Sequence, residues 1–258
     1  MEQKSIEARI LKGDICYSTD KNTLKTYADS YLILENGLVK GVFHEVPEQY
    51  HDAWMEDHSG HLIIPGLTDL HVHAPQYAFR GLKMDLELLE WLNTNTFPEE
   101  SKYRDLEYAR KAYQIFADDL KKSGTTRAGI FATIHVPATE LLMKLLDEAG
   151  IGAYVGKVNM DRNSPDYLCE ENAMKSAADT AEWLAKTQDA YTHVKPILTP
   201  RFIPSCTDEL MSMLSRIQKE FHVPVQSHLS ENISEIDWVK ELVPESKFYG
   251  DAYNRFEL

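Results

Sequence analysis

The sequence predicts an α/β protein, with a parallel sheet or barrel and crossover helices behind a small amino-terminal β module. Three observations carry that reading. From residue 65 onward, apolar runs of strand length alternate with longer segments whose apolar residues recur at helical spacing. Before that point the pattern is one of short strands, with Asn36-Gly37 as a hairpin turn. The residues able to do chemistry follow the apolar runs directly, as they do on the carboxyl-terminal rim of a parallel barrel.

Length and composition bound the answer. At 258 residues the chain holds one large domain or two smaller ones, and with 43% apolar and 26% charged residues it has the means to bury a core. Its 27 basic residues against 41 acidic ones give a formal charge of −14. That balance argues against a nucleic-acid backbone or an anionic membrane as partner, because both need clustered positive charge. A free base or nucleoside, which is no polyanion, stays open. No window approaches ~20 apolar residues, the length of a membrane span. The start, Met1-Glu2-Gln3-Lys4, has no apolar signal core, so a cytoplasmic protein is expected. Cys16, Cys169 and Cys206 are too far apart for a Cys-x-x-Cys site and read as thiols in a reducing compartment.

Taken in order, residues 1–61 read as a partial β-sandwich module. Its strands are Ile6–Lys12, Ile15–Tyr17 and Tyr31–Glu35, and Asn36-Gly37 turns into Leu38–His44. His44, His51, His58 and His61 fit no ligand spacing and read as surface or turn residues. The main domain is expected over 62–258. Its first strand runs from Leu62-Ile63-Ile64 through Asp69 to His73, and Asp85–Asn93 is a short helix within a long loop. Helices are expected at Arg104–Ser123, from Pro137 to the stop at Gly150, and at Asn172–Lys186, Thr207–Phe221 and Ser234–Val243. Strands are expected at Thr126–Thr133, Gly152–Val158, Val194–Leu198 and Val223–Ser227. About five strands result, against the eight of a closed barrel, and an open barrel exposes strand edges.

The chemistry centres on Asp69-Leu70-His71-Val72-His73. Side chains alternate along a strand, so Asp69, His71 and His73 share a face, and two imidazoles on one face can grip one metal ion. His228, after Val223–Ser227, is the natural third nitrogen, although a lone histidine there also reads as a satisfied core residue. Glu231 could move a proton near such an ion, or could simply favour a helix entrance. Arg201 offers a planar fork for paired acceptors and Phe202 a face for stacking; bridging loop carbonyls and filling the core are equal readings of the two. Gln76 has a donor and an acceptor for an amide-like edge of a heterocycle. Trp91 and Phe97 are possible walls. His135 is a candidate supporting residue near the rim, whereas Lys195, His193 and His222 precede or begin strands and read as structural.

Pro65-Gly66-Leu67-Thr68-Asp69-Leu70-His71-Val72-His73 resembles the first-strand signature of the amidohydrolase superfamily. Thr199-Pro200-Arg201-Phe202 and Ser227-His228-Leu229-Ser230-Glu231 narrow the resemblance to the guanine deaminase family. So do His73-Ala74-Pro75-Gln76-Tyr77, Thr96-Phe97-Pro98 and Val155-Gly156-Lys157-Val158-Asn159-Met160-Asp161, and the likeness covers nearly the whole chain. It implies an incomplete (β/α)8 TIM-like barrel of about five βα units. It implies one zinc ion held by His71, His73 and His228, with Glu231 and His228 as catalytic residues. Gln76, Arg201, Phe202, His73 and Glu231 become the contacts to a purine base. The implied reaction is zinc-dependent hydrolysis of guanine to xanthine and ammonia by a cytoplasmic homodimer. The family's sixth-strand histidine and eighth-strand aspartate have no counterpart before Leu258. The chain is therefore expected to be the amino-terminal portion of a longer enzyme, with weak metal retention and little turnover alone. Two other readings stand: an amidohydrolase acting on another heterocycle, and a non-catalytic fragment serving as an interaction protein.

Overall fold

The computed structural model describes residues 7–258, and the chain divides into two compact units, Met1–Gly66 and Leu67–Leu258. Ile6, the first residue of the first expected strand, and Met1-Glu2-Gln3-Lys4 lie outside the described residues.

In the first unit β1 (Ala8–Asp20), β2 (Thr23–Glu35), β3 (Leu38–Phe43) and β4 (Trp54–Ile63) form one sheet in the order β3-β2-β1-β4. The two short strands expected at its start are one strand, β1, with a register shift between Gly13 and Ile15. A bulge lets the strand bend while pairing continues on either side. Asn36 and Gly37 take φ of 52° and 78°, the left-handed values that a tight hairpin corner demands. The sequence does not predict β4, because Asp57-His58-Ser59-Gly60-His61 breaks any apolar alternation. It forms by pairing parallel to β1, from Arg9↔Trp54 to Lys12↔Asp57 and again at Asp14↔Leu62. Leu62 and Ile63 thus belong to this sheet. Ile10, Ile33 and Tyr50 make its core.

The second unit alternates strands and helices. Its elements are β5 (Leu67–His73), α1 (Leu88–Trp91), α2 (Phe97–Glu100), α3 (Leu106–Lys122), β6 (Thr125–Phe131), α4 (Val136–Ala149), β7 (Gly152–Gly156) and β8 (Val158–Asn159). They continue with α5 (Ala173–Thr187), β9 (Val194–Pro196), β10 (Thr199–Pro200), α6 (Asp208–Phe221), α7 (Ile233–Leu242) and α8 (Tyr249–Asn254). β5, β6, β7 and β9 form a parallel sheet in that order, and β8 pairs parallel with β10. This is the incomplete α/β barrel the sequence predicts. The caps explain the helix limits. Asp105, Asn172 and Thr207 accept backbone N–H groups at the starts of α3, α5 and α6. Gly150 ends α4 at φ 75°, where a side chain would be strained. The helices bury Tyr113, Phe116, Leu142, Leu146, Trp183 and Leu214 against the sheet.

Two expected elements differ. The helix near residue 90 begins at Leu88, where Glu87 accepts the Leu89 N–H, and runs on through a π turn at Leu92–Thr96 into α2. Val223–Ser227 makes a single parallel bridge, Leu198↔Val225, instead of a ladder. Pro196, Pro200 and Pro224 have no N–H to give, so pairing is interrupted. The segment still follows the sheet through Leu198 N–H to Pro224 O (3.0 Å), Gln226 N–H to Leu198 O (2.9 Å) and His228 N–H to Arg201 O (3.2 Å). That backbone track carries His228 to the rim.

Candidate metal centre and ligand cavity

His71, His73 and His228 converge, with one ring nitrogen of each lying within 4.8 Å of the others. His71 is exposed at the edge, His73 is half-buried and His228 is buried. The Nε2 atoms of His73 and His228 are 2.9 Å apart. Two ligands on a tetrahedral ion with bonds of ~2.0–2.1 Å stand about 3.3 Å apart, so the pair is close to the spacing an ion needs. His228 Nδ1 lies 2.6 Å from the Arg201 carbonyl, which can only accept. The proton therefore sits on Nδ1 and the lone pair of Nε2 faces the cluster, the usual way a ligand histidine is oriented. Phe131 packs on all three rings, at 4.9, 4.6 and 4.6 Å between centroids. The donor set fits a divalent ion. Asp69 is not part of it: β5 is irregular between Asp69 and Val72, and the carboxylate accepts the His71 backbone N–H at 3.1 Å.

A cavity of about 410 Å³ opens on this cluster. Gln76, Trp91, Arg201, Phe202 and Glu231 line it with the three histidines. Phe97 does not line it but lies under the Arg201 guanidinium, 5.1 Å from the ring centre. Sequence reasoning missed Glu100, which is 1% exposed and accepts from Arg201 Nη1 at 2.7 Å and Nη2 at 3.2 Å. Its Oε1 also accepts from Gln76 Nε2 at 3.4 Å. The fork of Arg201 is thus taken by a carboxylate, and only its other donors are available to a ligand. No local signal could have paired Glu100 with a residue so distant in sequence.

Glu231 stands at the exposed mouth, beyond Ser230, whose φ of 56° turns the chain sharply. Glu235, fully buried on α7, accepts the Glu231 N–H at 2.8 Å and the Asn232 N–H at 3.2 Å. Partial burial, then the negative Glu235, push the Glu231 carboxyl upward against the opposing pull of Arg201. Tyr253 on α8 donates to the His228 carbonyl at 2.6 Å, so the turn is held from both sides. His135 is not near the cluster. β6 ends at Phe131, and His135 stands at the residue before α4, without a capping bond from its ring, and lines a separate cavity with Trp183 and Arg104.

Burial holds the histidines neutral. It pushes His73 well below its ordinary value, with His228 and Arg201 adding, and takes His228 down to about 3 and His135 to about 4. An unfolded histidine titrates near 6.5. Below that value the unfolded chain takes up protons that the folded one refuses, so stability falls as pH drops from 6.5 towards 4. The loss is at most roughly 1.4 kcal/mol per pH unit per histidine, and less for His135, which water screens. Urea midpoints of the metal-free chain should fall between pH about 7.5 and about 5, and H228N should flatten that dependence. Identical midpoints at the two pH values would contradict it.

Comparison with known proteins gives the same direction. A model of the amidohydrolase family matches residues 62–257. Guanine deaminase of Dictyostelium discoideum is 45% identical over 206 residues, covering 78% of this chain and 45% of that protein. Guanine deaminase of Escherichia coli K12 is 36% identical over 247 residues, covering 92% and 54%. The crystal structure of guanine deaminase from C. acetobutylicum with bound guanine in the active site superposes with a TM-score of 0.93 at 46% identity. It covers 97% of this chain and 60% of that one. The chain spans about half the length of the curated relatives it matches.

Proposed function

The chain belongs to the amidohydrolase family, and from that premise we propose that it serves the zinc-dependent hydrolytic deamination of guanine to xanthine and ammonia. The carrying observation is that three neutral imidazoles, a carboxyl with raised affinity for protons and the pair Arg201–Gln76 face one cavity. His71, His73 and His228 hold the ion, and an all-nitrogen set suits zinc. When bound, the ion supplies the Lewis acidity that makes water a usable nucleophile near neutral pH. Glu231 takes a proton from the attacking water and hands it to the amine that leaves the ring carbon. Phe202 and Trp91 give flat apolar walls for a planar base, and Arg201 and Gln76 hydrogen-bond its edge.

The same reading makes a purine base the small-molecule partner of a cytoplasmic homodimer. Among the described residues no helix is long and apolar enough to cross a membrane. The test is equilibrium binding of guanine, 8-oxoguanine, cytosine and adenosine to the zinc-loaded chain, with ammonia release followed in the same samples. Guanine should bind at least about tenfold tighter than the others, since a site built for particular hydrogen bonds rejects molecules that lack them. Equal affinity across the panel would sink the guanine assignment.

A further inference from the structure

We propose that Glu100 is a positioning residue that makes the cavity select a neutral heterocycle over an anion. The inference rests on the base-binding reading above and extends it to a residue that touches no ligand. Glu100 and Arg201 are 1% and 3% exposed, so their charges meet where water screens them little. Both carboxylate oxygens are engaged, Oε2 by Arg201 Nη1 and Oε1 by Arg201 Nη2 and Gln76 Nε2.

Two consequences follow. A carboxylate only accepts, so the amide nitrogen of Gln76 must face Glu100, and its carbonyl oxygen is left as an acceptor for the cavity. The remaining Arg201 donors stand beside it. The lining therefore offers an acceptor next to donors, the complement of a ring N–H beside a carbonyl. Second, the guanidinium is already neutralised. An anionic ligand meets a paired cation, with the Glu231 carboxyl at the mouth of the same cavity. An unpaired buried arginine would instead attract anions strongly.

The experiment measures affinities of the wild-type chain, E100Q and the double variant E100Q/R201Q by calorimetry. A chelator is present so that nothing binds through a metal, and thermal melts establish that each variant is folded. The probes are guanine and its anionic relative urate, with benzamide and benzoate as a matched neutral and anionic pair independent of purine recognition. In E100Q guanine should weaken roughly 10- to 100-fold, because Arg201 and Gln76 lose the charged acceptor that aims them, while urate and benzoate tighten. In E100Q/R201Q, which has no uncompensated charge to unfold it, the gain for anions should vanish. Equal weakening of neutral and anionic ligands in E100Q would mean a merely structural role and overturn the proposal, as would no change in either. A wild-type chain that binds no purine would remove the base-binding reading, while the benzamide–benzoate preference would still decide the role of Glu100.

Discussion

Zinc added to the chelator-stripped chain is expected to raise its thermal midpoint with a stoichiometry of one, and H73N and H228N are expected to abolish the rise. An ion that binds only the folded state stabilises it by about 4 kcal/mol when free zinc is about a thousand times its dissociation constant. For a unit of this size each kcal/mol moves the midpoint by roughly 2–4 °C, so a shift of about 8–16 °C is expected. His228 should be the most sensitive position. It is buried, and its Nδ1 is already committed to the Arg201 carbonyl, so the orientation of Nε2 is set before metal arrives. His73 is half-buried, and its Nδ1, itself shut off from water, has no partner. Losing a ligand should cost more than the roughly 10–100-fold that the loss of an outer-shell partner costs. Isothermal titration and elemental analysis check the stoichiometry. A midpoint that rises equally in H228N would show that the ion sits elsewhere.

The histidine cluster is legible in the sequence because each part needs little more than one local rule. His71 and His73 sit two apart on one strand, and His228 follows an apolar run, where a parallel fold puts its working residues. Those rules survive local irregularity: β5 is bulged and Val223–Ser227 is barely paired, yet the three rings still meet. The helices were legible for a similar reason, since Asp105, Asn172, Thr207 and Gly150 mark their own ends. What stayed hidden was pairing across long stretches of chain. β4 has a polar sequence and becomes a strand only because β1 offers an edge. Phe131 reads as one more apolar strand residue, although it is the floor on which the histidines rest. A strand reaching Thr133 would put His135 near the rim, but the strand ends at Phe131 and His135 lines another cavity. Glu100 has no signature in its own segment at all.

Lys157 and Glu170 make the same point in energetic terms. Lys157 is completely buried and its ammonium pairs with Glu170, itself only 8% exposed. Glu170 has two further donors, the Met160 N–H at 2.8 Å and the Ser176 hydroxyl at 2.6 Å. The partners are therefore unequal. E170A leaves a buried ammonium with no acceptor, and breaking a buried pair in that way costs about 3–5 kcal/mol. The expected fall in thermal midpoint is roughly 6–20 °C. K157M leaves a carboxylate that keeps two hydrogen bonds, so it should cost less than E170A. The double variant K157M/E170L replaces both charges by apolar groups and should recover most of the loss, because no charge remains to be desolvated. The damage in E170A should also reach the cavity. Val158 and Asn159 pair with Thr199 and Pro200, and the Asn159 carbonyl accepts the Arg201 N–H at 3.1 Å. Loosening the strand beside Lys157 thus frees the backbone that aims Arg201 and holds the His228 imidazole. Thermal melts of the three variants, with ligand affinity measured on each, decide the matter. Equal losses for the two single variants, or a double variant as unstable as E170A, would mean that packing rather than charge pairing holds this strand.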